Sequence, residues 1–372
     1  YIYQQQCPLY NAPGLPISWN KNQYQEGTNE YVAVRPELKK QIEELYRKHP
    51  EEARDSFGED PFEVKNILKY WVFSEKPEFH VIPTDTINIH IDKDALLRSG
   101  IMFPKTIRHL KGEDLKDAIP DKLYIPLTDI RMLTKVDLLM LEMLANCNWE
   151  RPLYLAISVG SVSKLKFDNY FVQEGLAFRF TPFDYKKWGD VGENRLYAVD
   201  VERLYDNVMN RYKYGGLDTP GLYLDETTLR TCWYHRRLFA QLAKELIAQG
   251  DNERAKKVLA YAEQVIPGYN VPETHESGSY DIATAYATLG EKTKAVTLAV
   301  HLIAEAEDYI NWAFSLKGNR IEMVRNDCIY KFWQWNQYNE LLKKIDGEKY
   351  KESNRQFEEK YALFAPTMSY KN

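Results

Sequence analysis

The stretch from residue 134 to residue 145 restricts the fold most, because it predicts a helix that is apolar on nearly every face. Thr134 is a suitable N-cap, and Asp137, three residues later, completes a pattern like a capping box. The apolar residues that follow are Val136, Leu138, Leu139, Met140, Leu141, Met143 and Leu144. A helix of this kind is enclosed by other elements instead of lying on a surface. The first half of the chain is therefore expected to be a layered domain around it.

Short apolar segments on both sides of this helix predict a sheet. Residues 86–92 alternate strictly between polar and apolar, which is typical of a strand with one buried face. Pro152 breaks the helical pattern, and residues 153–159 then predict a buried strand with residues 176–181 as its neighbour. Residues 123–127 predict a further strand, with Pro126 at an edge or an end. We expect one modest mixed sheet with helices, an α+β domain over residues 1–198.

The part before residue 86 is predicted to hold an arm and two helices. Residues 1–36 are rich in Pro, Asn, Gln and Tyr and predict an extended arm that packs along the domain. Residues 37–49 predict a charged amphipathic helix. Asp60 is predicted to cap a second helix, with Pro61 at its first position.

After residue 199 the apolar residues recur at helical spacing, and part of the pattern repeats. With Arg236 as position one, the residues at tetratricopeptide positions are Phe239, Leu242, Ala243, Leu246, Ala255, Leu259, Ala262 and Pro267. A second copy holds Ile282, Ala283, Tyr286, Ala295, Ala299 and Leu302. The offset from Ala255 to Ala295 is 40 residues, against a standard period of roughly 34, which fits a longer loop at residues 268–277. We predict an all-α, tetratricopeptide-like array over residues 199–372.

The repeat pattern also predicts a binding groove. In tetratricopeptide arrays the first helix of each unit lines a concave surface that receives an extended peptide. The groove-facing positions are Arg237, Ala240, Lys244 and Ala248 in the first unit, and Tyr280, Thr284 and Thr288 in the second. Two cations, an aromatic ring and two hydroxyls suit an acidic or polar peptide. The alternatives are a solvated helix face, or a groove filled by the protein's own terminal helix.

The sequence contains no motif that requires an enzyme. Phosphate loops, nucleophile elbows, H-E-x-x-H and dinucleotide fingerprints are all absent, and no cofactor is predicted. His80, Asp85, His90 and Asp92 are residue types that bind zinc, but a solvated strand face is the interpretation we adopt, so no metal is predicted. Asp225 and Glu226 are interpreted as a helix N-terminus, and Glu174 as a turn residue that pairs with Arg151 or Arg179. Trp149 and Arg151 either form a ligand-binding corner or lock a corner by packing.

Composition excludes some partners and compartments. Lys and Arg number 49 against 54 Asp and Glu, for a net charge of −5, and this mildly acidic balance argues against nucleic acid. No run approaches the roughly 20 apolar residues of a membrane span. The chain opens at Tyr1 without a signal sequence, so we expect a processed product or an excised part. Four scattered cysteines, Cys7, Cys147, Cys232 and Cys328, are expected to be mostly buried thiols, and their pairing stays open.

Several motifs carry a resemblance to a known family. The first three motifs are N-W-E-R-P-L-Y-L-A at residues 148–156, Q-E-G-L-A-F-R at residues 173–179 and L-P-I-S-W at residues 15–19. Two further motifs are R-Y-K-Y-G-G at residues 211–216 and Y-L-D-E-T-x-x-R at residues 223–230. Together they resemble a family of large multi-pass membrane proteins, common in Bacteroidetes and related to protein O-mannosyltransferase-like glycosyltransferases. The resemblance implies that this chain is their C-terminal soluble part, and that any transferase site lies in a membrane region outside this sequence.

Three functions follow as hypotheses. The first is a non-catalytic accessory domain on the periplasmic side of the inner membrane, which binds acceptor protein or a partner through the groove. The second is a general interaction scaffold unrelated to glycosylation. The third is a glycoside hydrolase with dispersed acids, which activity of the purified chain on a panel of glycosides would favour.

Overall fold

The computed structural model describes residues 31–159, 165, 167–192, 197–316 and 320–368, which divide into two compact units. Unit 1 comprises the chain up to Gln173 together with Ala177–Asp200. Unit 2 comprises Glu174–Leu176 and the chain from Val201 onward. Most of the predicted arm, Cys7 and the L-P-I-S-W motif lie outside the described residues.

Unit 1 combines short strands with helices and is the α+β half of the protein. Its strands are β1 (Tyr31–Val34), β2 (Val81–Ile82), β3 (Thr86–His90), β4 (Lys122–Pro126), β5 (Met132–Thr134), β6 (Tyr154–Ala156), β7 (Phe171–Gln173), β8 (Ala177–Phe180) and β9 (Ala198–Val199). Its helices are α1 (Leu38–Lys48), α2 (Pro50–Phe57), α3 (Val64–Ile67, continued by a wider turn at Leu68–Val72), α4 (Lys93–Arg98), α5 (Gly112–Ala118) and α6 (Lys135–Asn146).

The described strands form three small sheets, so the expectation of a single sheet was wrong. One sheet has the order β2-β1-β5, a second pairs β3 with β4, and a third has the order β6-β8-β7-β9. The antiparallel β3-β4 pair joins Ile87 to Ile125 and Ile89 to Leu123 across 34 or more residues of chain. Strands of two to five residues carry too little pattern to specify which distant segment each one pairs with.

Helix α6 is built as its sequence predicts. Thr134 accepts a hydrogen bond from the backbone N–H of Asp137, and the Asp137 carboxylate accepts one from the backbone N–H of Thr134, which completes the capping box. Leu138, Leu141 and Leu144 are buried in the core of the unit together with Trp71 from the turn after α3. The predicted enclosure of this helix is confirmed.

Three local predictions in unit 1 were wrong in detail. Residues 153–159 do not form a buried strand: only Tyr154–Ala156 is extended, and Tyr154 is 48% exposed because β6 lies at the edge of its sheet. Asn88, expected on a solvated face, is buried although Ile87, Ile89 and Ile91 do face the core as predicted. The helix predicted to have Asp60 as its cap and Pro61 at its first position begins only at Val64. Asp60 instead accepts a hydrogen bond from the backbone N–H of Phe62.

Unit 2 is helical. Its helices are α7 (Val201–Asp206, continued by a wider turn at Asn207–Arg211), α8 (Glu226–Ala248), α9 (Asn252–Val265), α10 (Ser279–Thr288), α11 (Lys292–Ser315), α12 (Arg320–Met323), α13 (Arg325–Ile345) and α14 (Gly347–Met368). Helix α8 packs on α9 and α10, α10 packs on α11, α11 packs on α13, and α13 packs on α14. The unit is thus a series of paired helices joined largely by short turns.

The small residues of the repeat pattern lie where the helices meet. The fully buried members of the pattern are Phe239, Leu242, Ala243, Leu246, Ala255, Leu259, Ala283, Ala295, Ala299 and Leu302. Alanine at such positions lets two helix backbones approach closely without a cavity. The third pair departs from the first two, because α13 packs mainly on α11 and only slightly on α10. Assignment of the unit to the tetratricopeptide class stays a prediction.

The long connection between α9 and α10 is held by a buried arginine. Arg236, on α8, is 3% exposed and donates hydrogen bonds to the carbonyl oxygens of Pro272 (2.7 Å), Ile266 (3.0 Å) and Val271 (2.6 Å). It also donates to the hydroxyl of Ser277 at 3.1 Å. Burial lowers the pKa of the guanidinium to about 10, so it stays charged at neutral pH. One side chain therefore satisfies much of the polar backbone of the loop that the extended repeat period predicted.

Burial also sets the reactivity of the described cysteines. Cys147, Cys232 and Cys328 are buried free thiols, as predicted for these three positions. Burial raises the pKa of the Cys147 thiol, which keeps it in its unreactive protonated form.

Replacing Arg236 with leucine is expected to destabilise unit 2 by about 3 kcal/mol or more, because three buried carbonyls and a hydroxyl lose their donor. The neighbouring Arg237 is exposed, so Arg237→Leu is the matched control and should change stability by no more than about 0.5 kcal/mol. Urea unfolding of the two variants measures both values. Equal decreases in the free energy of unfolding of the two variants would contradict the role given to Arg236.

Candidate functional site

The predicted groove face lies on α8 and α10. Arg237, Lys244, Thr284 and Thr288 are all exposed there, as a binding face requires. Ala240, which the repeat offsets also assigned to the groove, is instead 2% exposed. The surface available to a ligand is therefore made of longer polar side chains above a buried alanine.

The polar groups of this face are oriented by local contacts. The Arg237 guanidinium lies 5.0 Å from the centroid of the Tyr234 ring, one turn earlier on α8. The Thr284 hydroxyl donates to the carbonyl of Tyr280 at 3.0 Å, and the Thr288 hydroxyl donates to the carbonyl of Thr284 at 2.9 Å. Each hydroxyl thus uses its proton within the helix and keeps lone pairs for an incoming N–H donor.

A glycine allows α8 and α10 to approach each other. Gly278, just before α10, has φ of +85°, and a β-carbon there would lie 2.8 Å from Cγ and 3.2 Å from Cα of Arg237. No larger residue fits this contact without displacing α10. The sequence analysis did not single out Gly278, although its place directly before a predicted helix is a signal for such a contact.

Tyr280, the fifth predicted groove residue, is partly covered by α13. Its ring lies 5.5 Å from that of Tyr338 and 5.7 Å from the stacked ring of His275, and its hydroxyl donates to the carbonyl of Gln337 at 3.4 Å. One of the protein's own helices thus covers this end of the predicted groove, although it is α13 and not the terminal helix α14 that the alternative named. The end with Arg237, Lys244, Thr284 and Thr288 stays exposed.

An exposed aromatic pair lies next to Tyr280. The rings of Tyr330 and Trp333 on α13 stack at 5.6 Å with an angle of 11° between them, and they are 45% and 49% exposed. His275 contacts both rings, with its centroid 5.6 Å from that of Trp333 and 6.1 Å from that of Tyr330. We call His275, Tyr280, Tyr330 and Trp333 the aromatic patch. Its members come from one loop and two helices, so only the i, i+3 spacing of Tyr330 and Trp333 was visible in the sequence.

A cavity of about 340 Å³ lies elsewhere in unit 2, between α9, α10 and α11. Its rim holds an ionic cluster: the Tyr286 hydroxyl donates to the Glu263 carboxylate at 2.5 Å, and the Lys294 ammonium donates to both oxygens of that carboxylate at 3.0 and 2.8 Å. None of the predicted groove residues lines this cavity. The cavity and the groove face are separate surfaces.

The corner at Trp149 and Arg151 lies in unit 1, in the turn between the end of α6 and the start of β6. Trp149 is 6% exposed, donates its indole N–H to the carbonyl of His90 at 2.9 Å and stacks on Phe180 with 6.2 Å between ring centroids. Arg151 is exposed. The contacts of Trp149 are those of a packing role.

The other residues considered for chemistry have structural contacts. A ring nitrogen of His80 lies 2.6 Å from the carbonyl of Ser74, Asp85 pairs with Lys39 at 3.0 Å, and Asp92 caps α4. Within the described ranges, no group of three or more His, Cys, Asp or Glu side chains is arranged to hold a metal ion.

Two predicted turn and cap residues also have partners. Asp225 caps α8 by accepting from the N–H groups of Thr227 and Thr228, as predicted. The Glu174 carboxylate lies 3.5 Å from the guanidinium of Arg203, a partner that the sequence analysis did not consider.

Comparison with known protein families identifies a match. The family described as TMEM260-associated domain 2 matches residues 1–202, which is more than half of the chain. Neither a curated protein nor a solved structure matches the sequence. Across the described residues, the longest helices are too polar to cross a lipid bilayer.

The aromatic patch is expected to make unit 2 sensitive to acid. Burial lowers the pKa of His275 below its ordinary value of 6.5, so the unfolded chain binds the proton more readily than the folded one. The free energy of unfolding is therefore not reduced by His275 above about pH 6.5. It falls as the pH decreases below that value, because the unfolded chain then takes up the proton first. Melting temperatures at pH 7.5 and 5.5 should therefore differ less for His275→Gln than for the natural protein. The exposed His301 provides the control, and a His301→Gln variant with the same effect would contradict this assignment.

Proposed function

The chain belongs to the TMEM260-associated domain 2 family, and from that membership we propose that it is a non-catalytic accessory domain of a membrane protein. In this proposal it lies on the periplasmic side of the inner membrane, tethered by transmembrane segments outside residues 1–372. It binds a protein or peptide partner through the face of α8 and α10 and the adjoining aromatic patch. No nucleic acid is involved.

The observation that carries the binding part of the proposal is the exposed polar face beside the aromatic patch. Arg237 and Lys244 supply two exposed cations on this face, and the Arg237 guanidinium lies over the ring of Tyr234. Trp333 and Tyr330 keep nearly half of their surface exposed although they are held rigidly by stacking. Trp, Tyr and Arg are the residues that most often supply the binding energy of protein interfaces. An acidic peptide with an apolar side chain would use both parts.

The connection to glycosyl transfer comes from the resemblance to membrane proteins related to O-mannosyltransferase-like glycosyltransferases. Under that resemblance, the partner is the acceptor protein, or a subunit that presents it, and the transfer chemistry belongs to the membrane region. The motifs that support it include residues 148–156 and 173–179, both of which lie within the matched range.

Charge reversal tests the binding face. The double variant Arg237→Glu, Lys244→Glu should bind a labelled Glu- and Ser-rich peptide at least about tenfold more weakly, equivalent to about 1.4 kcal/mol. The expected cause is repulsion between the new carboxylates and the acidic peptide. Fluorescence anisotropy measures the affinity. The matched control, Lys256→Glu with Lys257→Glu, changes two exposed lysines of α9 and should bind as the natural protein does. Equal affinity of the two double variants would refute the binding face.

A cellular experiment separates the accessory role from a general scaffold. When the Arg237→Glu, Lys244→Glu pair is placed in the full-length parent protein, glycosylation of its acceptors should fall while the abundance of the parent is unchanged. Glycan-specific staining and immunoblotting measure the two quantities. Unchanged glycosylation, together with lost peptide binding, would favour a scaffold unrelated to sugar transfer.

A further inference from the structure

The aromatic patch of unit 2 offers hydrogen-bonding groups as well as ring surface. Trp333 and Tyr330 are 49% and 45% exposed, and no described residue accepts a hydrogen bond from the Trp333 indole N–H or the Tyr330 hydroxyl. Nδ1 of His275 lies 2.9 Å from the Tyr338 hydroxyl, so Nε2 is the nitrogen without a partner in the described part of the chain. An indole N–H can only donate. A ligand that fits here brings compact apolar groups together with carbonyl oxygens that lack a donor.

The rings of the patch hold one another in place. Tyr330 and Trp333 stack on each other, and His275 packs edge-on against both of them. His275 also stacks on Tyr280, with an angle of 15° between the two rings, so the loop before α10 is joined to α13. Side chains that are already ordered lose little rotamer freedom when a ligand binds. The patch is therefore a preorganised surface.

A polyproline II segment has the properties that this surface requires. It contains no internal hydrogen bonds, so its carbonyl oxygens can accept from outside donors, and its proline rings are compact and apolar. Aromatic-lined grooves bind such segments because the ligand is extended before it binds. A helical ligand would use its carbonyls internally, and the helices that carry the patch offer no strand edge to an added strand. Among peptide conformations, polyproline II matches the patch best.

Arg237 lies one helix away from the patch. A β-carbon at Gly278 would lie 2.8 Å from Cγ of Arg237, and Tyr280 follows Gly278 by two positions, so the start of α10 lies between Arg237 and the patch. The path from α8 across α10 to α13 covers two helix spacings, roughly 16–20 Å, which a polyproline II segment crosses with about six residues. One short peptide therefore reaches both the cation and the exposed rings.

We propose that the segment bound by unit 2 is a proline-rich peptide in the polyproline II conformation, with an acidic residue about six positions from its prolines. The inference rests on the proposed function, because it specifies the peptide that the binding face receives. The prolines pack on Trp333 and Tyr330, the Trp333 indole N–H donates to a carbonyl of the segment, and Arg237 pairs with the carboxylate. A neutral sugar is disfavoured as the occupant, because it has no carboxylate for Arg237.

Fluorescence anisotropy with labelled peptides and the full chain tests the inference. The probe carries two prolines and two glutamates about six residues apart, joined by serines and made in both orientations, and its control has alanine in place of proline. The natural protein should bind the better orientation at least about tenfold more tightly than its alanine control. Trp333→Ala should remove this preference. Trp333→Phe keeps a ring, loses the N–H and should weaken binding of the proline peptide about threefold.

Trp312→Ala is the matched control. Trp312 on α11 is also 49% exposed but lies outside the aromatic patch, so this variant should keep the full preference for proline. Equal effects of Trp312→Ala and Trp333→Ala would overturn the inference. Equal affinity of the natural protein for the proline and alanine peptides, or binding of neither, would overturn it too. Mannotriose binding that Trp333→Ala abolishes would instead identify a carbohydrate site and overturn it as well.

The two proposals can be distinguished when one of them fails. The Glu- and Ser-rich peptide that tests the binding face contains no proline. Its binding, and the loss of that binding in the Arg237→Glu, Lys244→Glu variant, would keep the proposed function when the preference for proline is absent. Failure of that peptide to bind, together with tight binding of the proline peptide at Trp333, would restrict the partner surface to the aromatic patch and overturn the part assigned to Arg237.

Discussion

The helical unit depends on how one buried guanidinium is satisfied. Arg236 connects the middle of α8 to three carbonyls and a hydroxyl of the loop between α9 and α10. A loop at that position needs partners for its backbone polar groups, since unpaired carbonyls inside a protein are costly. With the loop fixed, Gly278 lies against Arg237, and α10 can pack on α8 at the distance that the small residues allow. The exposed face that we propose for binding therefore depends on a contact made about 100° away around the same helix.

Adjacent arginines illustrate how burial decides role. Arg236 and Arg237 have the same chemistry and differ by one position, or about 100° around the helix. Arg236 is enclosed and stabilises a loop, whereas Arg237 is exposed and stacks on Tyr234. The same contrast separates Trp149, which is buried and anchored on His90, from Trp333, which keeps half of its surface free. Residue type alone identifies neither the structural nor the binding member of each pair.

The surface that we propose for binding combines polar and aromatic side chains. The face on α8 and α10 presents cations and hydroxyls beside the aromatic patch. The patch adds an exposed aromatic surface, from one loop and two helices, to the polar side chains of the two helices.

The sequence by itself determined the enclosed helix at residues 135–146, the paired helices of unit 2, the capping box at Thr134, the cap at Asp225, the buried small residues of the helical unit and the extended loop after α9. Each of these is encoded by neighbours within a few turns or by a repeat of fixed length, so periodicity reveals it. Only the tertiary structure decided the division into three small sheets, the burial of Asn88, the covering of Tyr280 by α13 and the assembly of the aromatic patch. Those features join segments tens of residues apart, and the free energy that selects them comes from packing and desolvation between segments, which a local pattern does not record.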